Sequence, residues 1–245
     1  MPNIPQIVDL LQVGAHFGHQ SSKWHPRMKK YLFGSRNGIH IINLEETQKH
    51  LEPALSFAKK TALRGGMILF VGTKKQAVPF VKAAAESCTM PYVTNRWLGG
   101  TITNFASVAL QIRKFKDMKR RQEKGEYVKY TKFEQLKLNE EIAGLDLKFG
   151  GVQDMARVPE AIFIIDIRKD KTALQEASRR GIKIIALCDS NVDPSLIDFP
   201  IPCNDDAAKT IELMTNLMAQ AILEGRAEWE SARARLGGAL VKPIK

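Results

Sequence analysis

The sequence predicts a three-layer α/β domain built on a parallel sheet, interrupted by an inserted pair of helices. Three observations carry this. Pro159 to Asn191, PEAIFIIDIRKDKTALQEASRRGIKIIALCDSN, reads as strand, helix and strand, and Met67 to Val71 (MILFV) is a further apolar run of strand length. Unbroken apolar runs of this kind are the pattern of strands covered on both faces. Two such strands joined by one helix imply parallel pairing through a crossover. Third, from Asn104 to Phe149 the character changes to long, highly charged segments with helical apolar spacing.

Within the central unit, Ala161 to Ile165 is the first strand and Asp166 ends it. Lys169 to Arg180 carries Ala173, Leu174 and Ala177 at helical spacing, and Gly181 stands where a left-handed C-cap falls. Ile182 to Leu187 is the second strand. In such a sheet ligands gather beyond the carboxyl ends of the strands, here marked by Asp166 and Asp189.

The whole chain bounds the partners. With 245 residues it can bury a sizeable core, and 37 Lys plus Arg against 26 Asp plus Glu give a net charge of +11 and a pI near 9.6. That balance favours a polyanionic partner. No apolar run approaches the roughly 20 residues that span a bilayer, and MPNIPQIVDLL lacks the basic-then-apolar order of a secretory signal. Cys88, Cys188 and Cys203 have no CxxC spacing, so we expect reduced thiols serving as small core residues in a cytosolic protein.

From the N-terminus, Ile4 to Val13 reads as a short amphipathic helix with Ile4, Ile7, Val8 and Leu11 on one side and Gly14 closing it. The segment after it holds four of the five histidines (His16, His19, His25, His40). It interleaves Lys23, Arg27, Lys29, Lys30 and Arg36 with Phe17, Trp24 and Tyr31. Cations among aromatics suit a surface that neutralises phosphates and stacks on exposed bases; a solvated loop with its lysine stems laid over apolar surface is the competing reading. Ile39 to Ile42 is a strand entered from the Arg36-Asn37-Gly38 turn.

Asn43, with Glu46 three residues on, caps a helix that runs to Arg64 and stops at Gly65-Gly66, with Pro53 placed to kink or divide it. After the MILFV strand, Gly72-Thr73-Lys74-Lys75 leads into a helix over Gln76 to Cys88. A glycine turn there can hold phosphate on free amides, but neither GxGxxG nor GxxxxGK[ST] is present, and a solvated basic tip is the plainer account of Lys74 and Lys75. Tyr92-Val93 is a short extended piece. In NRWLGGTITNF, Arg96 and Trp97 beside Gly99-Gly100 either meet a partner closely or anchor the domain to the insertion that follows.

Between Asn104 and Phe149, Phe105, Val108, Ile112 and Phe115 oppose Leu138, Ile142, Leu145 and Phe149 as the seam of an antiparallel helical pair, or coiled coil. Gly125 and the Thr131-x-x-Glu134 capping box mark the turn between them. Eleven basic side chains, Arg113, Lys114, Lys116, Arg120 and Arg121 among them, face seven acidic ones. Such a hairpin can brace against RNA or protein, or simply present a solubilising charged face. Past Asp193, Pro194, Pro200 and Pro202 force an irregular path. Asn204-Asp205-Asp206 then heads a helix over Ala207 to Glu224, and the tail beyond Gly225 is basic and Ala-rich. The organisation is thus 1–103 as the first part of the α/β domain, 104–149 as the inserted hairpin, 150–225 as the second part and 226–245 as a tail ordered only on a partner.

LLQVGAHFGHQ and PEAIFIIDIRKDKTALQEASRRGIKIIA resemble the two signature regions of the ribosomal protein S-two family of the bacterial small subunit. KYLFGSRNGIHIINLEET, ILFVGTKKQA, NRWLGGTITNF, FGGVQDM and IPCNDDA resemble it too, in the same order, so that the likeness covers nearly the whole chain. It implies a flavodoxin-like, five-stranded parallel domain with an inserted helical hairpin, lodged between head and body of the small subunit in the cytoplasm. It also implies contact with small-subunit ribosomal RNA and neighbouring ribosomal proteins, and docking of the mRNA-capturing, OB-fold protein S-one. The RNA-facing candidates are Lys23, Trp24, Arg27, Lys29, Lys30, Arg36, Lys74, Lys75, Arg96, Trp97, Arg113, Lys114, Lys116, Arg120 and Arg121, and we expect no catalytic residue, no required cofactor and no small-molecule substrate.

Two further expectations come from the residues themselves. If the strands are parallel, Asp189, Asp205 and Asp206 fall beyond strand carboxyl ends on one edge, where a folded-back loop can bring His19. One imidazole with carboxylates suits a structural Zn²⁺ or similar divalent ion; the plainer account makes Asp205 a helix cap and Asp189 a turn residue. A doubly wound sheet also permits a nucleotide- or sugar-phosphate-binding enzyme, although no nucleophile elbow, complete phosphate loop or paired acid and base is present.

Overall fold

The computed structural model describes residues 4–235. Its centre is the expected parallel sheet. The strands are β4 (Ile68–Val71), β5 (Tyr92–Val93), β6 (Ala161–Ile164), β7 (Lys183–Cys188) and β8 (Phe199–Pro202), hydrogen-bonded in the order β5-β4-β6-β7-β8. All of β4 and β6 is buried, as their unbroken apolar sequence requires. Alternate side chains point to opposite faces, so Phe70, Phe163 and Ile185 pack on one side and Leu69, Ile162 and Ile184 on the other. On the first side lie α2 (Leu44–Leu63), α3 (Val78–Ser87) and α7 (Ala208–Arg235); on the second, α6 (Lys171–Arg179) and the root of the hairpin formed by α4 (Phe105–Glu123) and α5 (Lys132–Phe149). The hairpin seam is as expected, with Ile112, Phe115, Ile142 and Phe149 buried and the Thr131/Glu134 capping box formed.

Before the sheet lie α1 (Ile7–Gln12) and a second, antiparallel sheet of β1 (Phe17–Gln20), β2 (Leu32–Arg36) and β3 (Ile39–Ile42), ordered β1-β3-β2. Helix α1 is shorter than expected and turned the other way: Leu10 is buried, whereas Ile7, Val8 and Leu11 are exposed. The helix begins at Ile7, so an apolar stripe counted from Ile4 runs along its outer side.

Two other expectations are corrected. Pro53 does not divide α2, which runs continuously from Leu44 to Leu63. Gly225 does not end α7; the helix continues to Arg235, and the part of the 226–245 tail from 236 on lies outside the described residues. A Cβ on Gly225 would stand 2.3 Å from the Lys59 carbonyl oxygen, so this glycine permits close crossing of α2 and α7. Beyond it Trp229 lies against Gly65, with the Arg233 guanidinium 5.3 Å from its ring centroid.

The hairpin is fixed to the body by one carboxylate. Glu176, on α6 and only 6% exposed, accepts hydrogen bonds from the Trp97 indole (3.0 Å), the backbone amides of Gly100, Ile102 and Thr103, and the Thr103 hydroxyl. Burial works against its charge, but these donors outweigh burial and hold the carboxyl below its ordinary range. A depressed folded pKa stabilises above the unfolded value of about 4.3 and is lost as pH falls through the folded one. Glu176→Ala, which orphans all five donors, is expected to cost on the order of 3 kcal/mol in urea unfolding. Glu176→Gln is expected to flatten the loss of stability below about pH 4.3 relative to the parent chain.

Candidate functional site: an acidic cluster and a basic surface

The carboxyl ends of four strands converge on one cluster. Lys74 follows β4, Asp166 follows β6, Asp189 follows β7 and Asp205 follows β8, and β1 of the small sheet brings in His19. The Lys74 ammonium lies 2.9 Å from Asp205, 2.6 Å from Asp206 and 3.3 Å from Asp166. His19 reaches Asp189 with Nδ1 (3.0 Å) and Asp206 with Nε2 (3.3 Å). The ligand atoms of His19, Asp189, Asp205 and Asp206 all lie within 4.8 Å of one another.

The local structure explains each placement. Asn204, not Asp205, caps the approach to α7: its side chain accepts from the amides of Asp206 (2.8 Å) and Ala207 (3.2 Å). That leaves Asp205 free to turn toward Lys74, correcting the reading of Asp205 as a cap. Asp189 does make the expected turn, accepting from the Ser190 amide and hydroxyl through Oδ1. Its Oδ2 is buried, points at His19 and accepts no well-formed hydrogen bond. The neighbouring turn cannot cradle phosphate as it stands: the Thr73 amide and hydroxyl bond to Asp170, and Lys169 Nζ bonds to the Thr73 carbonyl.

The electrostatics follow from crowding. Burial, then the charges of Asp166 and Asp189, push the Asp205 carboxyl up to about 7, with Lys74 opposing. Burial disfavours the Lys74 ammonium, yet its carboxylate neighbours outweigh that and raise its pKa. The close contact with the Asp189 carboxylate leads in raising the His19 pKa, burial opposes it, and the surrounding carboxylate charges add to it.

The candidate RNA-facing residues divide sharply. Lys23, Lys29, Lys30, Arg36, Lys75 and Arg96 are exposed, and Trp24 is exposed beside the central strand of the small sheet, its ring 5.3 Å from that of His40 on β3. Arg27 is exposed but hydrogen-bonds Asp193 and Ser195. Lys74 is turned inward to the carboxylates, and Trp97 is buried on Glu176, so the latter pair of positions anchors the body rather than offering free surface. On the hairpin, Lys114 pairs with Glu141, Lys116 with Asp154, and Arg120 and Arg121 with Asp117, while Arg113 has no such pair among the described residues. Sequence reasoning missed Phe33, 81% exposed on β2 among these cations, and it missed Glu176. The signal for Phe33 was its place in sequence between Lys29-Lys30 and Arg36, an aromatic interleaved with cations like Trp24.

Four of the five strand ends of this α/β body are filled by its own lysine and carboxylates, while most of the exposed cations lie elsewhere; that arrangement defines a basic scaffold protein. The chain belongs to the family described as Ribosomal protein S2, whose model matches residues 10–225. It is 45% identical over 233 residues to the Small ribosomal subunit protein uS2 of Chloroflexus aggregans, covering 95% of this chain and 98% of that one. It is 46% identical over 230 residues to the protein of the same name from a Roseiflexus species, covering 94% and 88%. The family is a structural constituent of the small ribosomal subunit and not an enzyme, which answers the enzyme alternative. Among the described residues no helix is long and apolar enough to cross a membrane.

Lys74→Met would leave three clustered carboxylates without their cation, two of them buried. It is expected to destabilise the fold by about 3–5 kcal/mol, read as a lower urea midpoint at unchanged slope.

Proposed function

We propose that this chain binds small-subunit ribosomal RNA directly, between head and body of the cytoplasmic small subunit, through the small sheet and the outer side of the hairpin. One observation carries the reading: the carboxylates at the strand ends gather around Lys74 and His19, whereas Lys23, Lys29, Lys30 and Arg36 stand exposed beside Trp24 and Phe33. Cations positioned to neutralise phosphates next to an open ring for stacking are the parts that RNA recognition needs. The exposed side of α1 (Ile7, Val8, Leu11) with Phe17 supports a neighbouring ribosomal protein docking there, with S-one the expected partner.

A second reading concerns the cluster. We propose that His19, Asp189, Asp205 and Asp206 hold a structural divalent ion, Zn²⁺ by the chemistry of an imidazole with carboxylates. Four carboxylates, counting Asp166, meet one ammonium and one imidazole, so negative charge is in surplus, and the buried Asp189 Oδ2 lacks a well-formed hydrogen bond. The ion would supply charge compensation and a bond between the two sheets.

Filter binding to a folded small-subunit rRNA transcript is expected to show log Kd changing steeply with log salt, at about 0.7–0.9 per phosphate contact; binding indifferent to salt would sink the RNA reading. Elemental analysis of the native protein is expected to find about one Zn²⁺ per chain, lost in His19→Ala. A metal-free native protein whose unfolding midpoint does not move on adding Zn²⁺ would remove the ion.

A further inference from the structure

We propose that the cleft beyond the carboxyl end of β5 is a subsite for one phosphate-bearing nucleotide of a folded RNA strand. The proposal rests on the RNA-binding reading above and gives it a place that neither the family match nor the exposed N-terminal cations specify. Three cations from three separate elements line this cleft: Lys82 from α3, Arg96 from the loop after β5, and Lys148 from the end of α5. Asp146 is the one carboxylate lining it, so positive charge is in surplus there.

The contrast with the rest of the hairpin gives these cations their meaning. Lys114, Lys116, Arg120 and Arg121 each have a carboxylate partner within 2.9 Å. Arg96 and Lys148 have neither an ion pair nor a side-chain hydrogen bond among the described residues, and Lys82 meets Glu86 only at 3.9 Å. The amides of Asn95 and Gln153 line the same cleft and likewise make no side-chain hydrogen bond among the described residues, which leaves donors and acceptors for a sugar or a base edge.

The walls are set before a ligand arrives. A Cβ on Gly151 would stand 2.2 Å from the Tyr92 carbonyl oxygen and 2.6 Å from its ring, so the backbone after α5 is pressed against the edge strand in a way only glycine allows. Tyr92 is held in turn by the bond from its hydroxyl to Glu86, 2.9 Å. Size then chooses between sources of the phosphate. At about 240 Å³ the cleft is smaller than the roughly 300–1,000 Å³ of sites that enclose a free ligand, and it suits one unit of a polymer held elsewhere along its length.

The test compares the full chain with two double variants, Arg96→Ala/Lys148→Ala in the cleft and Lys49→Ala/Lys60→Ala on α2, all with equal urea midpoints. Each is titrated with a folded small-subunit rRNA transcript over a range of salt, and separately with AMP by calorimetry. The cleft variant is expected to bind RNA at least tenfold more weakly and with a salt slope smaller by about 1.5, while the α2 variant changes less than threefold and AMP binds to none. Wild-type affinity and slope retained by the cleft variant would overturn the proposal while leaving the RNA reading standing. An equal loss in both variants would overturn it as mere net charge, and micromolar AMP binding abolished in the cleft variant would overturn it in favour of a free nucleotide. A parent chain that binds no RNA would bring down the broader reading instead.

Discussion

The constraint on which the rest depends is the burial of a lysine among carboxylates at the ends of parallel strands. A parallel sheet collects its loop residues beyond the strands' carboxyl ends, and here those loops supply one ammonium and four carboxylates. The buried ones among these charges are not tolerable alone at that depth, where an unpaired charge costs several kcal/mol. Each loop is therefore fixed by the others: the turn after β4 cannot move without stripping Asp205, and the loop after β8 cannot move without stripping Lys74. His19 extends the same network to the small sheet, so the N-terminal segment is positioned by electrostatics as well as by the backbone bonds of His25 to Ser190 and Asn204 to Ala15.

Glu176 does at the hairpin root what Lys74 does at the strand ends, with the signs reversed. One buried carboxylate gathers an indole, a hydroxyl and three amides from a single stretch, Trp97 to Thr103. Those bonds shape the chain immediately before α4, and the apolar contacts of Ile102, Phe115 and Phe149 then fill the space behind it. The hairpin's direction from the body is consequently set by polar bonds at its root, while its own two helices are held by an apolar seam. The inserted segment can thus be long and highly charged without loosening the sheet that carries it.

Much of the fold was legible because buried parallel strands write themselves as continuous apolar runs, and MILFV and AIFII can be little else. The hairpin was legible from its seam and capping box. Of the small sheet only β3 was legible, as Ile39 to Ile42 after its turn; Phe17 to Gln20 and Leu32 to Arg36 lack the alternation of apolar and polar residues that marks a half-buried strand. Gly225 shows a different limit, since a glycine that ends a helix and one that admits a neighbouring helix look alike until the neighbour is known. Of the cluster, the convergence of His19, Asp189, Asp205 and Asp206 could be argued from parallel topology alone. That Lys74 belongs among them could not, because a lysine after a glycine turn reads as a solvated tip; Glu176 was hidden in the same way on a charged helix.

The sheet's two open edges complete the logic by which this body meets partners through side chains rather than through strand pairing. Cys203 donates its amide to the Cys188 carbonyl, so by alternation Phe199 and Ile201 also face β7, and Pro200 and Pro202 fall where an amide would point outward. Proline has no such amide, and Thr47 donates to the outward carbonyl of Pro202. At the opposite edge β5 has only two residues, and the backbone at Gly151 is packed against it. With both edges closed to an added strand and four of the five strand ends filled from within, what remains for recognition is the exposed side chains of the small sheet, α1, the hairpin and the cleft beside β5. A fold that elsewhere binds ligands at its strand ends is left to act as a charged, fixed shape, which is what a structural part of a nucleoprotein particle requires.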